Sequence, residues 1–354
     1  MPSRTTVQLL SPTLDIRRQG RPLSSSADQD LWAATVAEDL DAPGMFTLHL
    51  RNWDFVQGQF SWVDDDTFCL GTEIQVAMGH QGRPMPLITG EITGLEPEFS
   101  QDGEPMLTVR GYDLSYRLAQ GQKTRSFAGM KDSAIASQIA QNHRLSAKVD
   151  DSGETLDYVL QNNQSDLAFL QTRAQRIGYE VFVTEKTLHF RAPKHKDAKA
   201  LSLDWNRDLL EFTPRLSILG QVAAVKIEAW NVANQSTQLT SITADGVSAM
   251  AVESGPEAAS NLFGDDTFAQ LTTPLRQVTE ATSMAKGQLN AIALSYITGD
   301  GLCVGNPQLR AGTVVEFTGL GKRFSGLYYI VTTEHTLSQQ DGYLTAFTFR
   351  RNAA

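Results

Sequence analysis

The residues of this 354-residue chain most able to bind a metal or attack a substrate are its six histidines and two cysteines. The histidines form neither an HExxH motif nor a pair four residues apart, and Cys69 and Cys303 lack CxxC spacing. Both cysteines are predicted to be buried thiols. His189 and His335 fall within strand patterns, so structural places are predicted for them. No metal site or disulfide is expected.

Other candidate motifs have simpler interpretations. The acidic run at 64–66 lacks the alternating oxygen ligands of a calcium loop, so a solvated turn is predicted. The run GLGKRFSG at 319–326 lacks GxxxxGK[ST] spacing, so a connection between hairpin strands is predicted. No GxSxG elbow occurs. Without a nucleophile, base and oxyanion donor together, we expect no enzymatic activity and no cofactor.

The charge of the chain is acidic and spread along its length. The formal net charge is −10, from 30 Lys and Arg against 40 Asp and Glu. The most basic stretch, Lys194 to Lys199, is interrupted by Asp197 and is interpreted as a solvated loop. Specific nucleic-acid binding is not expected. With no signal peptide and no run of roughly 20 apolar residues, we expect cytoplasmic synthesis and no membrane anchor.

The elements that must position any site begin with a block of strands and turns from about 30 to 110. The segment GMFTLHLRN places Phe46, Leu48 and Leu50 on one face of a strand, and GTEIQVAM alternates in the same way. Glycines and a proline in ITGEITGLEPEF favour an edge or a bend. A small, strongly curved antiparallel sheet or barrel is predicted.

A capped helix followed by a strand is predicted in the middle block, in QNNQSDLAFLQTRAQRIGYEVFV at 161–183. Ser165 is a favourable N-cap, and Asp166 faces the positive end of the helix dipole. Gly178 follows the apolar stripe, where glycine most easily adopts a left-handed C-cap. Because the segment holds no nucleophile, metal ligand or phosphate loop, it is interpreted as a structural module.

The last block returns to strands from about residue 201. GQVAAVKIEAW alternates, and the pair Asp341-Gly342 predicts a hairpin turn. Residues 231–270 are rich in small and polar residues with weak periodicity, which favours an insertion or long loop. VTEATSMAKGQLNAIALSYI predicts a helix, although Gly287 weakens it by about 1 kcal/mol relative to alanine.

The most informative feature is an internal echo between the first and last blocks. The first copy reads Gly71-Thr72-Glu73-Ile74, Gly90-Glu91-Ile92-Thr93 with Glu96, and Asp102-Gly103 before Leu107-Thr108 and Arg110. The second copy reads Gly312-Thr313-Val314-Val315, Gly326-Leu327-Tyr328-Tyr329 with Glu334, and Asp341-Gly342 before Leu344-Thr345 and Arg350. The order of the matching segments is the same but their spacings differ, so duplication and chance are alternative explanations of the echo. Duplication predicts two related β-modules around a mixed α/β middle.

Three segments also resemble a known family. They are LTVRGYDLSYRLAQGQKTRSFAGMKDSAIASQIAQNHRL, NNQSDLAFLQTRAQRIGYEVFV with LHFRAP, and GNPQLRAGTVVEFTGLGKRFSGLYYIVTTEHTL. They are similar to the late control protein D family of contractile-tailed phages, which comprises baseplate hub proteins. That family is also similar to the N-terminal hub part of the spike proteins of type VI secretion and extracellular contractile injection systems. The similarity covers residues 105–193 and 300–350, and the remainder matches in layout only.

The resemblance also marks a set of structural motif residues. They are Gly111, Tyr112, Asp113, Asn163, Gln164, Ser165, Asp166, Phe169, Leu170, Gly178, Tyr179, Gly305, Asn306, Pro307, Gly312 and Gly326. No catalytic, metal-binding or cofactor-binding role is expected for them.

The fold implied by the resemblance is α+β and mainly β, with two similar β-barrel-like tube domains flanking a mixed α/β middle domain. The expected boundaries are 1–120, 121–200 and 201–354, with an insertion at about 231–300. Hub proteins of this kind are homotrimers, so three chains would present six quasi-equivalent modules. Such a ring would join a six-fold inner tube to a three-fold spike.

The expected partners follow from that architecture. They are two further copies of the chain, a trimeric spike protein, inner tube or tube-initiator proteins and other baseplate proteins. DNA or other cargo would pass through the lumen without specific binding, and acidic walls would reduce its sticking. Because the chain ends at Ala354, the spike is expected to be a separate chain. The protein would be made in the host bacterial cytoplasm and become part of a virion tail baseplate or tail-like particle.

Alternative functions stay open. One is the hub of an extracellular contractile injection system with a separate spike. A tail-associated cell-wall hydrolase would need a paired-carboxylate or Cys/His site, and a glycan-binding tail module would use exposed aromatic residues. The sequence offers no such catalytic pair, and the motifs favour the hub.

Overall fold

The computed structural model describes residues 11–100, 103–231, 236–265, 268–274 and 278–354. Strands make up 48% and helices 21% of the structure. The predicted class, α+β and mainly β, is therefore confirmed. The boundaries of the three predicted domains stay predictions.

The first part of the chain is almost entirely strand. The predicted alternation holds, because Phe46, Leu48 and Leu50 are all fully buried in one core. Its elements are β1 (Pro12–Arg18), β2 (Arg21–Pro22), α1 (Ser25–Asp30), β3 (Leu31–Asp39), β4 (Met45–Arg51), β5 (Glu73–His80), β6 (Arg83–Glu98) and β7 (Met106–Asp113).

The middle part mixes helices and strands around a core of its own. Its elements are α2 (Ser115–Ala119), β8 (Lys123–Met130), α3 (Asp132–Asn142), β9 (Ser146–Val149), β10 (Leu156–Gln164), α4 (Asp166–Ile177), β11 (Glu180–Thr184) and β12 (Thr187–Arg191). The predicted limits of α4 are confirmed. The Ser165 hydroxyl accepts a hydrogen bond from the Ala168 N–H, and Gly178 ends the helix with φ 69°.

The last part completes the sheet and adds a smaller α/β layer. Its elements are β13 (Leu201–Asp204), β14 (Leu209–Leu216), β15 (Ala224–Asn231), β16 (Ser236–Thr243), α5 (Gly255–Phe263), β17 (Phe268–Pro274), α6 (Val278–Ala293), β18 (Ile297–Val304), β19 (Val314–Thr318), α7 (Gly321–Phe324), β20 (Gly326–Ser338) and β21 (Gly342–Arg351).

One 13-stranded sheet contains strands from both ends of the chain. Its order is β14-β18-β21-β20-β3-β4-β7-β6-β5-β1-β2, with β19 beside β20 and β13 beside β19. We name β1 and β3–β7 the first β-module, and β13, β14 and β18–β21 the second β-module. Numbered along the chain, the six strands of each module have the same order across the sheet, namely two, three, six, five, four, one. One pairing differs, because β1 is antiparallel to β5 whereas β13 is parallel to β19.

The two modules also match residue by residue where the fourth strand begins. Gly71 and Gly312 both have a left-handed backbone, with φ 79° and 76°. Each donates its N–H to the carbonyl of an isoleucine, Ile92 or Ile330, at 2.7 and 2.8 Å. A side chain would strain both positions, so glycine is required twice for one reason. This pair of glycines is the most accurate part of the sequence echo.

Other parts of the echo shift when the strands are aligned by their pairing. Glu96 does correspond to Glu334, but Gly90 corresponds to Tyr328 rather than to Gly326. The Asp102 of the first turn lies outside the described residues. The modules have therefore kept their pairing while many side chains have changed.

A glycine and an aromatic ring face each other across the third and sixth strands of both modules, with their places exchanged. Phe46 on β4 lies over Gly111 on β7, where a Cβ atom would overlap the ring. In the second module Phe349 on β21 lies over Gly299 on β18. The close approach explains the family-motif residue Gly111, since any side chain there would displace a buried ring.

The predicted barrel-like closure is not found among the described residues, where the sheets are open. The reason is that the two modules join edge to edge: β3 of the first pairs with β20 of the second over Thr332–Ser338. Each module therefore continues into the other instead of closing on itself. β14 and β2 are left at opposite ends of the strand order.

Of the two alternatives predicted at 231–270, the long loop is wrong for the described residues, whereas the insertion stays a prediction. β15, β16 and β17 form a three-stranded sheet, and α6 packs on it through buried Ala281, Ala285 and Leu289. The small side chains of Ala281 and Ala285 let this helix lie close to the sheet. The predicted helix is confirmed, but Ile297 begins β18.

Three smaller predictions are corrected or refined. Cys69 is exposed rather than buried, because it follows the short 3-10 helix Asp66–Phe68 at the surface. Cys303 is buried as expected, and burial raises the pKa of its thiol to about 12. Within the loop after β12, His195 is buried and hydrogen bonds to the Ser248 carbonyl, whereas the lysines stay in contact with solvent.

Gly287 lies against the C-cap of α4, where the two backbones touch. A Cβ atom on Gly287 would lie 2.6 Å from the Gly178 amide nitrogen. Helix propensity alone favours Gly287→Ala by about 1 kcal/mol, but this contact leaves no room. We expect Gly287→Ala to lower the free energy of unfolding by roughly 1–3 kcal/mol, measured by urea denaturation. Lys286→Ala, at the exposed neighbouring position, is the control, and a stabilised Gly287→Ala protein would contradict the contact.

Candidate subunit interface

The junction between the two β-modules is the most informative contact in the chain. β3 and β20 are antiparallel, and their register pairs Val36 with His335 and Ala37 with Glu334. Beyond the strands, Leu40 donates to the Val331 carbonyl and Gln339 to the Trp32 carbonyl. The junction therefore uses regular backbone pairing between segments about three hundred residues apart.

A charged pair crosses this junction. Arg310 donates to the Glu38 carboxylate from Nε at 2.8 Å and also from Nη2. The same guanidinium donates to the carbonyls of Pro86 and Leu87, at 3.0 and 2.6 Å. The Thr333 hydroxyl donates to Glu38 at 3.1 Å. One arginine of the second module thus holds β3 and β6 of the first, and the fork geometry of guanidinium suits this bridging.

The middle part is fixed to the same junction. The Arg191 side chain donates to the Gly312 carbonyl at 3.1 Å, and the Tyr329 hydroxyl donates to the Glu180 carboxylate at 2.8 Å. Burial raises the pKa of Glu180, against the opposing effects of Tyr329 and Arg191. The hairpin β11–β12 is thereby positioned against the start of β19 and the centre of β20.

Asp166 does more than face a helix dipole. Its carboxylate is only 1% exposed and accepts from Lys123 at 2.5 Å, Arg125 at 2.6 Å and His143 at 2.8 Å. Gln161 Nε2 also donates to it at 3.0 Å. Burial opposes ionisation, but these donors outweigh it and lower the pKa of Asp166. The residue therefore ties β8, β10 and α3 to the first turn of α4.

Asp113 is a buried carboxyl group that forms no ion pair with the residues that the structure describes. It accepts from the backbone N–H groups of Gly44 and Ser115, each at 2.8 Å, and from the Ser115 hydroxyl. Burial raises the pKa of Asp113 to about 6, although these hydrogen bonds pull in the opposite direction. The side chain closes the end of β7 onto the turn before β4.

The other motif residues of the middle part shape its core and its turns. Phe169 and Leu170 are buried, and the Phe169 ring stacks on Phe127 with centroids 5.7 Å apart. Asn163 has φ 50° at the bulge of β10, and Gln164 accepts from the Gln161 side chain. The Tyr179 hydroxyl donates to the Asp151 carbonyl.

The remaining motif residues lie in the two β-modules. Gly305 lies under the Tyr343 ring, and its carbonyl contacts His80 Nε2 at 2.7 Å. Asn306 caps the turn that also contains Pro307. Gly326 begins β20 beside the Arg351 guanidinium, and Tyr112 is half-buried near the end of β7.

The motif residues therefore do not form one site. Those at 163–179 belong to the middle core, and the others mark turns and close approaches in the modules. Arg310, Glu38, Glu180 and Tyr329, which join these parts, were missed. Only Arg310 gave any signal, as the one charged residue in the connection GNPQLRAGT between β18 and β19.

Among the unpaired strand edges of the described residues, two match the two sides of the β3–β20 junction. β14 pairs only with β18. The second half of β6, from Gly94 to Glu98, pairs with β7 on one side only, because β5 ends its pairing at Glu91. Such edges present free N–H and C=O groups that can pair with another chain. They belong to the second strand of one module and the fifth strand of the other, the same kinds of strand that meet at the β3–β20 junction.

The outward face of the large sheet carries more acidic than basic groups. The acidic residues on this face include Asp39, Glu96, Glu98, Glu211, Asp300 and Glu334, and the basic residues include Arg51, Arg110, Arg215 and Arg350. In the described part of the chain no cluster of three His, Cys, Asp or Glu side chains could hold a metal. Within the same ranges no helix is long and apolar enough to cross a membrane.

A comparison with protein families gives one match over most of the chain. Residues 11–339 match the family model described as the Alg8 N-terminal domain. The chain belongs to this family. The description does not name the late control protein D family that the sequence resembles. No curated protein matches the chain.

Solved structures share the fold of this member of the Alg8 N-terminal domain family across nearly its whole length. The 43 kDa tail protein of prophage MuSo2 from Shewanella oneidensis superposes with a TM-score of 0.69 at 15% identity, covering 96% of this chain and 98% of that one. A tail protein from Neisseria meningitidis MC58 gives 0.69 at 13%, covering 96% and 97%. The Escherichia coli c3393 protein, described as a type VI secretion component similar to T4 tail proteins gp27 and gp5, gives 0.63 at 12%, covering 96% and 77%.

Removing Arg310 tests the junction. Arg310→Met would leave the Glu38 carboxylate largely buried without its cation, so we expect a loss of about 3 kcal/mol in the free energy of unfolding, measured by denaturant titration. Lys186→Met removes a surface partner of Glu73, and its expected cost is below about 1 kcal/mol. Equal effects of the two substitutions would contradict the structural role of Arg310.

Asp113 predicts a pH dependence. Its pKa is raised in the folded state, so its stabilising effect is complete below about pH 4 and is lost as pH rises through about 6. Wild type should lose roughly 3 kcal/mol from this group between pH 4 and 7, and Asp113→Asn should lack that component. The measurement is the difference in unfolding free energy between the two proteins at each pH. A difference that does not vary with pH would refute the assignment.

Proposed function

We propose that this protein is a structural, non-catalytic hub of a contractile tail or tail-like particle, and a member of the late control protein D type of hub. Three copies would form a ring that adapts a six-fold inner tube to a three-fold spike and surrounds part of the central conduit. The structural similarity to two tail proteins and to a type VI secretion component supports this setting.

The observation that carries the proposal is the repeated strand order, joined edge to edge. Two modules with one topology lie side by side in a single sheet through β3 and β20. The unpaired edge of β14 and that of the second half of β6 then each match one half of the same junction. A contact that joins a surface to a different surface on the next copy closes into a ring when the rotation permits. Three chains of two modules give six similar positions around such a ring.

The proposed partners follow from the ring. A three-fold spike and inner tube or tube-initiator proteins would bind its two ends, and other baseplate proteins would surround it. With the outward face of the sheet toward the lumen, the excess of carboxylates would repel DNA or acidic cargo and limit its sticking. The protein would be assembled after synthesis in the host bacterial cytoplasm.

A second setting is the hub of an extracellular contractile injection system with a separate spike. The structural similarity to an E. coli protein described as a component of the type VI secretion system supports this second setting. The physical role is the same in both settings, and they differ in the particle that contains the hub.

The oligomeric state tests the proposal. We expect a particle of three times the 38.8 kDa chain mass in native mass spectrometry or light scattering, alone or with the spike protein. Negative-stain images should show six similar lobes around a hole. Cell-wall hydrolysis or glycan binding by the purified chain would favour the alternative classes. A chain that stays monomeric even with its spike would refute the hub.

A further inference from the structure

We infer the residue register of the contact between copies. Resting on the proposed ring, the inference is that Gly94–Ser100 of one copy pairs antiparallel with Glu211–Ser217 of the next. The structure already contains the template for this contact, because β3 and β20 form it within the chain. The step is to transfer that register onto the two unpaired edges.

The transfer relies on matching irregularities in the strands. β3 has a bulge between Leu31 and Ala33 at its start, and β14 has one between Leu209 and Glu211. The bulge of β6 follows Ile92, just as that of β20 follows Ile330. Bulges fix register, since they cannot slide without breaking the ladder. The equivalence of Ile92 with Ile330 is independently supported by their hydrogen bonds to the turns at Gly71 and Gly312.

The inferred register places opposite charges together. In the template, Glu334 of β20 faces Ala37 of β3. At the equivalent rung of the inferred contact, Glu96 of one copy faces Arg215 of the next. Both are exposed, and Arg215 has no ion pair within the described ranges. Glu96 has one oxygen 2.8 Å from Arg110, which leaves the second for Arg215. Opposite charges across a rung stabilise an antiparallel pair.

The apolar side of the inferred contact is also complementary. Glu38 and Thr333 of the template are replaced by Leu216 and Leu95, which pack at the edges of the two cores. Phe99, which is 60% exposed, would face Phe212. The polar junction within the chain is thus replaced by an apolar one between copies, where a hydrophobic contact favours association.

Two prolines specify the same register. Residues 95, 97 and 99 of one edge and 212, 214 and 216 of the other present their backbone groups outward, by equivalence with the template. Pro97 and Pro214 fall on this side, as expected for edge strands. In the inferred register they share one rung, which forms no backbone hydrogen bond because neither proline has an N–H, whereas the neighbouring rungs at Leu95 and Phe99 keep theirs. A register shifted by two residues would place the two prolines on different rungs, so two rungs would lose hydrogen bonds instead of one.

Disulfide trapping tests the register. In a Cys69→Ser background, Glu98→Cys with Thr213→Cys places two cysteines on a rung without hydrogen bonds, with Cα atoms about 4.5 Å apart, within disulfide range. We expect covalent dimers and closed trimers on non-reducing gels. Thr35→Cys with Thr336→Cys is the matched positive control, because the same rung within the chain should give a link inside one chain. Glu98→Cys with Glu211→Cys, a diagonal pair about 7–8 Å apart, is the negative control.

The outcomes separate the register from the ring. A native trimer that cross-links no more than the diagonal control overturns the register and leaves the proposed function intact. A chain that is monomeric in native mass measurements, with and without its spike, overturns both. As a second arm, Glu96→Arg and Arg215→Glu should each weaken trimer formation roughly fivefold, and the double substitution should restore it. Failure of the double variant to recover would count against the pair.

Discussion

The constraint on which the rest of the structure depends is that every strand edge needs a partner. A sheet cannot end without leaving N–H and C=O groups exposed, and natural proteins either cover or pair them. Within this chain the problem is solved once, where β3 of the first module pairs with β20 of the second. The same two kinds of edge occur again, unpaired, on β14 and on the second half of β6. In the proposed ring, these edges would repeat the contact between copies.

The buried charges make sense beside this constraint. Edge pairing alone joins the two modules but leaves the angle between them variable, because a sheet can twist and coil. Arg310 removes that freedom by holding Glu38 on β3 and two carbonyls at the start of β6 together. The middle part adds a second support through Arg191 and Tyr329. A fixed angle between modules matters for a ring, since a small error in rotation repeated around the ring prevents closure.

Local patterns in the sequence predicted local structure well. The α4 cap, stripe and glycine stop behaved as expected because each depends on residues a few positions apart. The echo also located Gly71 and Gly312, where backbone conformation demands glycine. Barrel closure and the layer at 231–300 were not predicted correctly, because both depend on which distant edge or helix packs against a strand. Gly287 shows the difference between local and distant effects. From the sequence it was interpreted as a residue that weakens the helix, but in the structure its backbone contacts Gly178, which no local spacing predicts.

Besides the α/β layer between the second and third strands of the second module, the two modules differ in the connection between their third and fourth strands, and this second difference has a consequence for symmetry. In the first module residues 52–72 make that connection, whereas in the second residues 305–313 suffice. The longer connection carries Phe55 and Phe60, which are 77% and 41% exposed. In the proposed ring the strands would repeat six times, but this aromatic loop would repeat only three times. In that ring the sheet would supply a nearly six-fold framework and the loops a three-fold pattern, which is the combination that the proposed adaptor between a hexameric and a trimeric partner requires.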